Sequence, residues 1–143
     1  MLKPEIEQFA EVLLREVRDR AIRSCRALLD PEANSVLARR WREKIAGSSP
    51  SEAVAYVISD CVDDTIFHLL HAIDSEVLHL LFVTRDGRTA DLIEDGIGEL
   101  GGWYMGSEGW RATYSQEGFV DDFADLNENF TDDPTQEPED GAD

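Results

Sequence analysis

The chain has 143 residues, 42% of them hydrophobic, with 13 basic against 31 acidic side chains and a formal net charge of −18. That length buries a core without help from metals or disulfides, and two cysteines outside any CxxC pair argue against a disulfide scaffold or a structural zinc. A surface this acidic is repelled at long range by nucleic acid and by anionic membranes, which leaves a basic protein surface as its electrostatic partner.

The charge is unevenly spread. Residues 1–47 carry ten bases and eight acids, residues 48–116 three and twelve, and residues 117–143 none and eleven. The N-terminus, MLKPEIEQFAEVLL, places acids inside what would be the apolar region of a signal peptide, so a cytoplasmic location is expected. Cys25 and Cys61 fall on apolar helix faces and are expected as buried free thiols.

Pro4 to Leu29 has the period of a helix, with Ile6, Phe9, Ala10, Leu13, Val17, Ala21, Cys25 and Leu28 on one face. Asp30-Pro31 predicts a restart, with Asp30 as cap and a second helix from Pro31 to Ala46 that stops at Gly47. Ser49-Pro50 then opens the longest helix, to Ile73, on which the rest of the chain is expected to pack. Its apolar positions run from Val54 through Val57, Ile58, Cys61, Val62, Ile66 and Leu69 to Ile73, broad enough to predict a largely covered helix.

The period then changes. Val77 to Val83 reads as a buried strand containing His79, Asp86-Gly87 as a hairpin turn, and Thr89 to Ile93 as the returning strand. A third strand is expected at Trp110 to Tyr114. Ser115 to Leu126 presents Phe119, Val120, Phe123 and Leu126 on one face and reads as a last helix. Asn127 to Asp143 is too rich in Asp, Glu and Pro to order itself. The expected fold is therefore α+β: three N-terminal helices packed with a small antiparallel hairpin or sheet and a C-terminal helix. Residues 1–126 form one globular domain in this reading, and 127–143 a disordered acidic tail.

Three stretches could carry chemistry. Gly96-Ile97-Gly98-Glu99-Leu100-Gly101 matches GxGxxG, but Glu94, Asp95 and Glu99 would repel a pyrophosphate, and too little chain follows for a dinucleotide fold. Asp60, Asp64, His68 and His71 fall within about 80° of one another on the long helix, opposite its apolar positions. They read as a solvated polar face; as metal ligands they would need partners on a facing helix, and the first two helices contain no histidine. The glycine- and aromatic-rich run is the expected binding surface. Trp103, Tyr104, Met105, Trp110 and Tyr114 supply the area, and Glu94, Asp95, Glu99 and Glu108 the charge, which is the make-up of an interface hot spot.

No nucleophile–base–orienter set is visible, so no catalytic residue and no cofactor is expected. The expected function is that of a non-enzymatic protein that neutralises a basic partner through its acidic half. In gross make-up (small, acidic, intracellular) the chain resembles the immunity proteins that neutralise bacterial toxins, a resemblance that carries no site residues with it. Two alternatives belong to other classes. One is nucleic-acid mimicry against a DNA-binding enzyme, of the anti-restriction or anti-CRISPR type. The other is a small ligand-binding or enzymatic domain built on segment 96–114.

Overall fold

The structure is a computed structural model, described here for residues 3–119. It is α+β: helices surround one long helix, and a two-stranded antiparallel hairpin lies near that helix's C-terminal end. The elements in order are α1 (Pro4–Val12), a π-helical stretch (Leu13–Arg18), α2 (Asp19–Leu28), α3 (Val36–Ala46), α4 (Pro50–Asp74), β1 (Leu81–Val83), β2 (Thr89–Asp91), α5 (Leu100–Met105) and α6 (Trp110–Tyr114). The expected last helix does not begin at Ser115, which is extended, and 115–119 are not helical. The rest of that helix and the expected tail 127–143 lie outside the described residues.

α4 is the hub, in contact with the π stretch, α2, α3 and α5. Its start is the expected one, reinforced by a reciprocal cap: Ser49 Oγ accepts from the Glu52 amide, while Glu52 accepts from the Ser49 amide at 2.9 Å. The main core gathers where the C-terminal half of α4 meets its neighbours, around Val17, Ala72, Ile73, Leu78 and Leu100. A second buried point is Trp41 of α3, only 2% exposed, whose indole N–H donates to Asp60 of α4 at 2.6 Å.

Which face of α4 is covered departs from expectation. Val54, Ile58 and Val62 are 58%, 54% and 51% exposed, whereas Asp63 is 8% exposed. Asp60, Asp64 and His68, expected on a solvated face, are half-buried. Helical period locates stripes but not their partners, and here polar groups on α2, α3 and α6 answer the acids of α4.

Other departures have local causes. Asp30 closes a turn on itself, its carboxylate accepting from the Glu32 amide at 2.9 Å, so the chain waits for Ser35 before α3 begins. The strand expected from Val77 is only Leu81–Val83 and is exposed. The amides of Val77 and Leu78 are used to close the end of α4, both donating to the Ala72 carbonyl at 2.9 Å. His79 thus precedes the strand, exposed, with Nε2 2.7 Å from Asp91 Oδ2. The Asp86-Gly87 hairpin forms, with Gly87 at φ +86° and the register Leu81–Asp91, Phe82–Ala90, Val83–Thr89. β2 stops at Asp91 rather than Ile93, because the Asp91 carboxylate accepts from the Ile93 and Glu94 amides and curls the chain. Trp110–Tyr114 is a helix and not a third strand: the Thr113 amide and hydroxyl both bond to the Gly109 carbonyl. Among the described residues no helix is long and apolar enough to cross a membrane.

Candidate partner-binding groove

The glycine-aromatic segment folds as α5 and α6 joined by a tight turn. Gly109 is required there, since a Cβ at that position would overlap the Trp103 carbonyl oxygen. α5 itself starts on a carboxylate from α4: Asp74 accepts from the Leu100 amide at 3.0 Å and the Gly101 amide at 2.9 Å. The place a pyrophosphate would take in a GxGxxG helix is thus filled by the protein's own anion.

A buried triad fixes the segment to α4. Arg111 Nη1 donates to Asp63 Oδ2 at 2.6 Å, and the Tyr104 hydroxyl donates to Asp63 Oδ1 at 2.7 Å. Arg111 is 7% exposed; its Nη2 reaches the Met105 carbonyl at 3.3 Å, and its guanidinium lies 3.9 Å from the centre of the Phe119 ring. Burial, helped by the Asp63 carboxylate, pushes the Tyr104 phenol up to about 12. These charges are matched inside the fold.

What the triad leaves outside is apolar. A groove of about 850 Å³ runs between Ile58, Val62 and Ile66 of α4 and Trp110, Tyr114 and Phe119. On the other flank of α4 a second groove, about 540 Å³, lies between Ile22 and Leu29 of the α2 side and Val54 and Val57. The exposed ridge Val54–Ile58–Val62 stands between the two. Exposed apolar surface this continuous marks an interaction site more often than a scatter of single residues does.

The expected site residues divide. Tyr104, Trp110 and Tyr114 line the groove, although Tyr104 spends its hydroxyl on Asp63. Trp103 packs against Trp110, ring centres 6.0 Å apart, and is not part of the lining. Met105 faces a smaller cavity beside Phe67. Glu108 is exposed on the α5–α6 turn. Glu94, Asp95 and Glu99 are exposed but do not line the groove, and Asp95 accepts from the Asp91 amide at 2.9 Å. Val54, Ile58, Val62, Ile66 and Phe119 were not expected as surface. For the four α4 residues the signal was the width of the apolar stripe, more than one packing partner could cover.

Asp60, Asp64, His68 and His71 do not converge. Asp60 takes the Trp41 indole, Asp64 faces Cys25 Sγ at 4.0 Å and His68 Nδ1 at 3.5 Å, and His71 stacks on Phe67 with ring centres 5.9 Å apart. Burial holds the Asp64 carboxyl above its usual range, against the opposing pull of His68 and Ser24. Among the described residues no three His, Cys, Asp or Glu side chains gather as a metal site requires. Cys25 and Cys61 are free and half-buried; burial, with Cys61 alongside, raises the Cys25 thiol to about 12, far from a reactive thiolate. Compared with protein-family models, curated proteins and solved structures, the chain matches none of them.

Proposed function

We propose that the protein is a non-enzymatic, cytoplasmic binding protein that captures a basic partner on the α4 ridge and its flanking groove. One observation carries this reading: a hydrophobic ridge, Val54–Ile58–Val62, stands more than half exposed on the central helix of a chain with net charge −18. Apolar teeth at i, i+4 and i+8 beside an aromatic wall suit an amphipathic segment laid along α4. The chain also leaves the groove at Phe119 carrying ten further acids and no base in residues 120–143. Those acids complement a basic rim on the partner and raise its association rate, and the apolar floor sets how long it stays. Tyr104, Asp63 and Arg111 serve this surface indirectly, by holding the α6 wall against α4.

The test is retention from a lysate of the native host on immobilised full-length protein, eluted with rising salt. A basic protein retained stoichiometrically, released by salt and lost on Ile58→Asp is the expected result. Equal retention by Ile58→Asp, or nothing retained at low salt, overturns the reading. A DNA-binding enzyme retained through the acids and indifferent to Ile58→Asp would transfer the case to nucleic-acid mimicry.

A further inference from the structure

The hairpin is the other place where the surface is unlike the rest of the molecule. Leu81, Phe82 and Val83 are three consecutive apolar residues, 63%, 57% and 58% exposed, so both faces of β1 meet solvent. Among the described residues the sheet has two strands, so one edge of β1 is unpaired. The register decides which groups lie on that edge. The Thr84 amide donates to the Arg88 carbonyl and the Leu92 amide to the Leu80 carbonyl, so the even-numbered residues of β1 exchange bonds with β2. By the alternation of an antiparallel ladder, the N–H and C=O of Leu81 and Val83 point outward. A two-stranded hairpin is marginal in water, and edges this apolar are usually charged or covered.

The occupant follows from charge. Residues 79–91 hold two bases, Arg85 and Arg88, and two acids, Asp86 and Asp91, a net charge of zero within a chain of −18. A basic partner is drawn elsewhere, to the acids. A second copy, repelled over most of its surface, meets the least repulsion along β1, whose three residues carry no charge. The strand is also its own complement. We propose that β1 is the seam of a homodimer: two copies pair edge to edge and antiparallel, Phe82 facing Phe82 across a two-fold axis, in one four-stranded sheet. Leu81 of each copy then exchanges hydrogen bonds with Val83 of the other, and the Phe82 rings form a cross-strand aromatic pair. None of these residues lines the α4 groove, so the dimer leaves that groove open.

Sedimentation equilibrium of the full chain from about 1 to about 300 μM tests this, since a seam this short gives a weak, concentration-dependent association. The expected species is twice the 16.1 kDa chain mass, its population rising with concentration. Raising salt should tighten it several-fold by screening the net repulsion, whereas capture of a basic partner weakens with salt. Val83→Pro removes the outward amide without touching a bond to β2, and is expected to abolish the dimer at unchanged helicity. Phe82→Lys is expected to do the same by placing like charges opposite each other, and reads the seam even if the proline variant folds poorly. A monomer at every concentration, or a dimer that persists in the folded variants, overturns the proposal.

Discussion

Asp63 is the residue on which the aromatic segment depends. Its carboxylate receives a guanidinium and a phenol from chain more than forty residues away, and the charge is buried only because both are present. Arg111→Met should therefore cost about 3–5 kcal/mol in denaturant unfolding, because an unpaired carboxylate is left inside. Replacing the ion pair as a whole, Asp63→Leu with Arg111→Met, should cost less than that single change. Tyr104→Phe is milder, about 1–2 kcal/mol, for one hydrogen bond to a charged group. Tyr104 also gives a pH signature. Its phenol is raised from 10.0 to about 12, so the folded state holds the proton longer than the unfolded chain. That contribution is complete below about pH 10 and is lost as pH rises toward 12, a fall that Tyr104→Phe should flatten when measured in a Cys25→Ala background. The background is needed because the Cys25 thiol is displaced from 9.0 to about 12 and loses stability over an overlapping range. Asp64 has the same sign at acid pH: its carboxyl is raised by burial, so ionisation disfavours the fold as pH climbs through the carboxylate range. Asp64→Asn should raise the Tm at pH 7, with Ser24, Cys25 and His68 still facing it, and an unchanged or lower Tm would refute this.

At the scale of elements, local signals held where the chemistry was local. Ser49, Pro50 and Glu52 announce the start of α4, and Ser49→Ala should cost about 1 kcal/mol of stability. Asp86-Gly87 announces the hairpin. Signals failed where a distant group decided. WRATY has the composition of a strand, but Arg111 must turn inward to Asp63 and Gly109 offers its carbonyl to Thr113, so the segment winds. Val77 and Leu78 look like strand, but their amides belong to the end of α4. The aromatic segment was legible as a surface through Trp110 and Tyr114; the α4 ridge was not, because period alone cannot say which of two apolar flanks finds a partner. The exposure of that ridge has a direct consequence for stability. Ile58→Asp should leave the Tm within about 0.5 kcal/mol equivalent of wild type while removing partner capture, and a large drop in Tm would mean the ridge is core.

Across the whole molecule, two surfaces of different character stand apart: an apolar groove whose lining ends at Phe119, the residue that precedes ten acids in the sequence, and a hairpin whose residues 79–91 carry no net charge. If both proposed contacts exist, salt should separate them in one titration, weakening capture of a basic partner and favouring hairpin pairing. The first helix is wound in two registers, α1 and α2 divided by the π stretch Leu13–Arg18. A π turn holds one residue more than the α-turn it interrupts, and each residue of an α-helix advances the face by about 100°. Val17 within the stretch and Ala21 beyond it are buried, while Ile6 and Phe9 before it are exposed. In the language of insertions and deletions, this helix has a residue to spare. A chain lacking Leu14, which is itself exposed, should still fold cooperatively, with α1 turned by about a quarter of a circle and Ile6 and Phe9 presented along a new line. Failure of that shortened chain to fold would show that the extra residue is required and not merely accommodated.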